Sequence, residues 1–320
     1  MTSQPSPGEL VEAAGQGSPR AVARLISLVE DDTTGGPVLR EVMRLVAPFT
    51  GRAAVIGITG SPGVGKSTST SAYVTAFRAR GQKVGVLAVD PSSPFSGGAL
   101  LGDRVRMQDH AGDDGVYIRS MASRGHLGGL SAAAPQALRV LDAAGCDVVL
   151  VETVGVGQSE VEIAGLADTT LVLLAPGAGD GIQAAKAGIL EIADVFVVNK
   201  ADRDGAESTT RDLRHMVGMA PRGENAWVPT IYKTVAARGE GVDQVLDAIE
   251  AHRAWLTSSG QLQVRRERRA RVEVEAIALG LLRRQMRDLG SGDEVAALAR
   301  AVAAGESDPF TAADTLVAAL

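Results

Sequence analysis

Eight consecutive residues, Gly60, Ser61, Pro62, Gly63, Val64, Gly65, Lys66 and Ser67, satisfy the pattern G-x-x-x-x-G-K-[ST] without a mismatch. They follow an apolar run over 53–58 that reads as a buried strand. Such a stretch can cradle a polyphosphate. Glycines at 60, 63 and 65 permit positive φ and close backbone approach, so successive N–H groups can turn toward an anion. The Lys66 ammonium is then expected to reach the β- and γ-phosphates and the Ser67 hydroxyl to ligate Mg²⁺. The helix that opens there, with Thr68 in its first turn, adds its positive dipole end.

A phosphate loop does not choose a base. After the apolar run 195–198 comes Asn199-Lys200-Ala201-Asp202, an N-K-x-D motif at the carboxyl end of an expected parallel strand, where open α/β sheets bind ligands. The Asp202 carboxylate can accept from guanine N1–H and its exocyclic amine together. Adenine would leave that carboxylate unpaired, and sites built this way reject the lacking analogue by roughly 10⁴ to 10⁵. Beyond an expected strand over 228–232, the segment from Lys233 to Ala237 falls where GTPases usually carry a Ser-Ala base-contacting loop. Val235 stands in place of the serine, so only backbone contacts are expected from Val235, Ala236 and Ala237.

At the other end, the strand expected over 147–151 runs into Glu152-Thr-Val-Gly155, where many GTPases have D-x-x-G. The longer glutamate suits a carboxylate that holds Mg²⁺ through water, or orients the attacking water, better than one in direct contact. Val156 occupies the position of the water-orienting glutamine of Ras-type enzymes, and Gln158 lies two residues on, which predicts slow hydrolysis by the isolated protein. Asp90, ending the run 84–89, and Asp103, in the loop 91–109, are the other carboxylates able to approach the metal; Arg104 and Arg106 could act as charge-stabilising arginines but read better as solvated loop arginines.

These residues need a scaffold, and the chain provides one. Its 320 residues, 45% of them hydrophobic, suffice for one large α/β unit with helical additions. Short β-branched runs at 84–89, 116–118, 148–151, 169–174, 195–198 and 228–232 alternate with helical patterns, predicting a P-loop fold with a mostly parallel sheet covered by helices on both faces. Helical spacing at 21–29 and 38–46 marks an extension over residues 1–50 packed outside the sheet, the sheet unit spans 51–259, and 260–320 reads as a helical arm whose role is dimerisation.

The net charge of −6 leaves no electrostatic footprint for nucleic acid. The basic cluster 265–271, broken by Glu267, reads as a solvated helix face. One cysteine, Cys146, excludes a disulfide framework and a thiolate metal cluster and fits a reducing, cytoplasmic compartment. No apolar run reaches membrane-spanning length, and no targeting pattern stands at the N-terminus.

Several stretches together resemble one family. They are 57–68, 89–98 (Val-Asp-Pro-Ser-Ser-Pro-Phe-Ser-Gly-Gly), 119–131 (Arg-Ser-Met-Ala-Ser-Arg-Gly-His-Leu-Gly-Gly-Leu-Ser), 152–159 (Glu-Thr-Val-Gly-Val-Gly-Gln-Ser) and 199–202. The chain resembles the cobalamin-related GTPases of the methylmalonyl-CoA mutase-associated family, once described as arginine/ornithine-transport kinases, strongly over about 20–260. That resemblance implies a homodimeric GTPase using GTP/GDP and Mg²⁺. It further implies binding to an adenosylcobalamin-dependent acyl-CoA mutase, gating of cofactor loading and help in removing inactivated cofactor, with a cobalamin adenosyltransferase as a second candidate partner. It carries nucleotide contacts onto Gly60 to Thr68 and Asp202, and metal or catalytic roles onto Ser67, Asp90, Asp103 and Glu152. It also implies a nucleotide-sensing switch at 177–188, where three glycines, the first of them Gly177, follow the run 169–174. His126, in the Gly-rich stretch, is a candidate γ-phosphate sensor or a helix-start hydrogen-bonding residue.

Two other readings share the phosphate loop. A nickel metallochaperone GTPase would need His-rich or Cys-containing segments, and this chain has four scattered histidines. A kinase linked to amino-acid transport conflicts with N-K-x-D, and no second substrate pocket is apparent from the sequence.

Overall fold

The computed structural model describes residues 5–31, 35–90, 108–110, 112–122, 133–153, 159–177, 189–221, 223, 225–289 and 292–318. Seven strands form one all-parallel sheet: β1 (Ala54–Thr59), β2 (Val84–Asp90), β3 (Val116–Ala122), β4 (Val148–Glu152), β5 (Thr169–Leu174), β6 (Val195–Val198) and β7 (Thr230–Lys233), in the spatial order 3-2-4-1-5-6-7. β1 therefore lies between β4 and β5, with Ile56 in register with Leu150 on one side and Thr169 on the other. The chain leaves β1 for β2 on one side and later crosses β1 from β4 to β5 on the other, and the crevice opened at the carboxyl ends is the ligand position of such folds.

The strands β1, β4, β5 and β6 are buried along their whole length, as expected where helices cover both faces. Alternation along β1 divides the core. Val55 joins Leu87, Val149 and Val151 beneath the helices Pro19–Asp31, Pro37–Val46 and Ala134–Ala143. Ile56 and Ile58 face the opposite way, with Val86 and Leu150, toward Tyr73 and Phe77 of the helix Lys66–Ala79 and Leu246 of the helix Val242–Ser258. A Cβ on Gly57 would stand 2.6 Å from Ile163, so the glycine lets the helix Ser159–Leu166 lie directly on β1.

Four departures from the sequence reading have physical reasons. The strand expected over 116–118 continues to Ala122, because every residue of β3 is in register with one of β2, from Val84 opposite Val116 to Asp90 opposite Ala122. The strand expected from 228 begins at Thr230, after Pro229, which has no N–H to give a ladder. An unexpected helix, Pro7–Gly15, opens on a capping box in which the Ser6 Oγ accepts from the Glu9 N–H while Glu9 accepts from the Ser6 N–H.

The fourth departure concerns the basic cluster, which is not a solvated face. In the helix Gln261–Leu289, Arg265 donates twice to Asp194 at 2.9 Å, Arg266 donates to Asp168 at 2.8 and 3.3 Å, and Arg269 donates to the Leu166 carbonyl. Asp168 and Asp194 are both buried. Each also accepts a strand amide, from Val55 at 3.2 Å and from Thr170 at 2.8 Å respectively. Charges taken out of water this far must be paired, and the arginines pair them. One turn further on, Arg139 grips Glu273 through two hydrogen bonds of 2.6 and 2.7 Å. Beyond the three arginines Val272, Val274, Ile277, Leu279 and Leu282 stand exposed on the same helix. No helix among the described residues is long and apolar enough to cross a membrane.

Candidate functional site

The loop after β1 has the backbone its glycines suggested. Gly60, Gly63 and Gly65 have φ of +141°, +81° and +97°. At two of them contact also demands glycine. A Cβ at Gly60 would meet the Leu173 carbonyl oxygen of β5 at 2.2 Å, and one at Gly65 would meet the Asn199 Nδ2 at 2.5 Å. Lys66 is buried, and its Nζ donates to the carbonyls of Gly60 at 2.6 Å and Ser61 at 3.2 Å, holding a positive charge across the mouth of the loop. The helix Lys66–Ala79 starts from Gly65, which offers no side-chain cap, so the positive end of its dipole faces the loop.

Beside the loop, β4 ends in Glu152, whose carboxylate is buried. The Ser67 Oγ donates to Glu152 Oε1 at 2.6 Å and the Thr70 Oγ1 to Oε2 at 2.8 Å. Thr70 was not anticipated, although its spacing of three from Ser67 places both hydroxyls on one helix face. A serine oxygen that donates to a carboxylate keeps its lone pairs, and hydroxyl and carboxylate oxygens are the donors that Mg²⁺ accepts. Ser67 and Glu152 therefore fit a hard divalent ion. Asp90 ends β2 at the same sheet edge, two residues beyond Ala88, which is in register with Glu152. Asp103 lies outside the described residues, as do Arg104, Arg106, His126, Gly155, Val156, Gln158 and residues 178–188.

At the far side of the cleft, Asn199 is almost fully buried and joins three segments. Its Nδ2 donates to the Val64 carbonyl at 2.9 Å, and its Oδ1 accepts from the Thr234 hydroxyl and the Ala236 N–H, each at 3.1 Å. Lys200, with φ of +57°, sends its Nζ 2.5 Å from the Gly63 carbonyl, so its alkyl stem follows the loop. The Ala201 N–H donates to the Thr234 carbonyl at 3.0 Å, which fixes the turn carrying Asp202 to the segment carrying Val235, Ala236 and Ala237. Asp202 itself is exposed, with one oxygen 3.5 Å from Arg238. Between these groups lies a cleft of about 1150 Å³, lined by Gly63, Lys66, Ser67, Glu152, Lys200 and Ala236 among others. Lys66 and Lys200 bring two positive charges to this lining, and Asn199 ties the glycine loop to the segment from Thr234 to Ala236.

Residues 22–289 match the family described as methylmalonyl-CoA mutase-associated GTPase MeaB. A putative GTPase of Pyrococcus abyssi is 46% identical over 311 residues, covering 97% of this chain and 95% of the relative. The GTPase ArgK of Escherichia coli is 38% identical over 275 residues, 84% of this chain and 83% of the relative. The mouse methylmalonic aciduria type A homolog, a mitochondrial protein, is 33% identical over 322 residues, 95% of this chain and 77% of the relative. Among solved structures, a LAO/AO transport system kinase superposes with a TM-score of 0.70 at 27% identity, covering 99% of this chain and 98% of the other. With a parallel-sheet P-loop fold, N-K-x-D beside the loop and a match over most of its length, the chain belongs to the MeaB family of methylmalonyl-CoA mutase-associated GTPases.

Proposed function

We propose that this GTPase is a nucleotide-timed chaperone of an adenosylcobalamin-dependent acyl-CoA mutase, in the first instance methylmalonyl-CoA mutase, gating cofactor loading and assisting removal of inactivated cofactor. The family's description as mutase-associated and the name of the mouse relative support the partner. The observation that carries the nucleotide half is Asn199, bonded at once to the phosphate loop and to the segment beside Asp202. Lys66 and the loop amides from Gly60 to Thr68 hold the phosphates, and Asp202 accepts from guanine. Ser67 and Glu152, with Asp90 and Asp103, supply the oxygen ligands for Mg²⁺, which when bound would neutralise charge on the β- and γ-phosphate oxygens. Exposed Ile277, Leu279 and Leu282 support the arm at 260–320 as a homodimer contact, joined to a GTPase unit at 51–259 and a helical extension at 1–50. Binding of GTP would order the switch expected at 177–188 and hydrolysis would release it, so reporting the nucleotide to the mutase.

Phosphate release from GTP and from ATP, measured with and without purified methylmalonyl-CoA mutase while following co-elution, tests this. Preference for GTP and a rate changed by the mutase are expected. Equal use of both nucleotides, with no response to the mutase, would overturn the reading, and transfer of label to a small-molecule acceptor would favour a kinase instead.

A further inference from the structure

One cation faces the carboxylate assigned to guanine. Arg238 lies in the short 3₁₀ turn Ala236–Arg238, and its Nη1 stands 3.5 Å from Asp202 Oδ2. The same guanidinium is held from behind by Glu240, Nε donating to Oε1 at 2.7 Å and Nη2 to Oε2 at 3.4 Å. The backbone that presents it is closed on itself. The Val235 N–H donates to the Glu240 carbonyl at 3.0 Å and the Arg238 N–H to the Val235 carbonyl at 2.8 Å. Gly241, with φ of +76°, passes so near Lys233 that a Cβ would lie 2.2 Å from its carbonyl oxygen. The turn carrying Asp202 is tied to this segment through Ala201 and Thr234. Acceptor, cation and counter-anion therefore share one mounting.

We propose that Arg238, oriented by Glu240, is a positioning residue for guanine recognition: it holds the Asp202 carboxylate in the rotamer that meets the base. This rests on the reading of Asp202 as the guanine acceptor. An ionised carboxylate has about four lone-pair sites, and guanine uses one on each oxygen, so the arginine keeps its contact when the base arrives. Both side chains are exposed, so the pair adds little to folding. Its effect falls on binding, because a carboxylate already fixed loses less freedom when the base docks.

Release of fluorescently labelled GDP is the measurement, using wild-type protein, R238A, R238K, E240Q and D202N. R238A is expected to speed release about 3–10-fold, a change of about 0.7–1.4 kcal/mol, with association little altered and nucleotide-free thermal stability unchanged. R238K recovers part of the loss, and E240Q moves release in the same direction by less. In the D202N background, which favours xanthine, R238A leaves release of labelled XDP unchanged, since an amide carries no charge for the arginine to hold. If D202N binds XDP no better than GDP, the reading of Asp202 fails. If D202N switches base but R238A releases GDP at the wild-type rate or more slowly, the role of Arg238 fails on its own.

Discussion

The Ser67 hydroxyl and the Glu152 carboxylate, 85 residues apart in the chain, meet at 2.6 Å, joining the start of the loop helix to the end of β4. The bond makes Glu152 the partner of the group expected to ligate the metal, a place where substitution typically costs 10- to 100-fold. Glu152→Gln should lower GTP hydrolysis by about that factor and raise the Mg²⁺ needed for half-maximal rate, while GDP still binds within a few-fold. Phosphate release across a Mg²⁺ titration measures it; a wild-type metal requirement would remove Glu152 from the metal end.

Asn199→Ala should cost both stability and nucleotide. It strands the Val64 carbonyl, the Ala236 N–H and the Thr234 hydroxyl in a buried place, and each such group costs about 1–3 kcal/mol. The unfolding free energy should fall by roughly 3 kcal/mol or more, with GDP affinity lost in parallel. Retention of both would mean that the loop and the base segment are held together by other contacts.

Arg265→Met leaves Asp194 buried without its bidentate partner. Breaking a buried pair from one side costs about 3–5 kcal/mol, and because the Arg265 side chain is 35% exposed the lower end is expected. The arm should also become more open to limited proteolysis. A change in unfolding free energy below about 0.5 kcal/mol, the usual scatter of surface substitutions, would show that the clamp is dispensable.

His252 sets an acid limit. It is fully buried against Trp227 and Trp255, with Nδ1 2.9 Å from the Thr169 hydroxyl and Nε2 3.3 Å from Asp194. Burial lowers its pKa from 6.5 to about 4; Asp194 and Asp168 oppose that shift and Arg265 adds to it. The unfolded chain therefore takes up the proton first as pH falls. Stability conferred by the neutral ring is complete above pH 6.5 and declines from there toward pH 4, by roughly 3 kcal/mol in all. His252→Gln should flatten this part of the unfolding profile; an unchanged slope between pH 6.5 and 4.5 would place the acid sensitivity elsewhere.

What the sequence disclosed depended on how local the signal was. Gly60 to Ser67 and Asn199 to Asp202 are contiguous and sit at strand ends, so their types and order reveal their neighbours. Ser6 and Glu9 carry an equally local helix-start signal, a serine followed three residues later by a glutamate. The arginine clamp had no such signal: Arg265 and Arg266 find their aspartates 71 and 98 residues away, and in one dimension three arginines on a helix look like any solvated face. Thr70 and Arg238 were hidden for a related reason, since each gains its meaning only from a carboxylate brought beside it by a parallel sheet.

That sheet has a mechanical consequence. Asp168 immediately precedes β5 and Asp194 immediately precedes β6, while Asn199 follows β6 directly and the Leu173 carbonyl near the end of β5 abuts Gly60. The two strands are bonded side by side from Leu171 opposite Val195 to Leu174 opposite Val198, so neither slides past the other. They form a strut about 13–20 Å long, with the foot of the C-terminal arm bolted to one end and the phosphate loop resting on the other. The foot of the arm and the phosphate loop are thus anchored to opposite ends of one pair of strands.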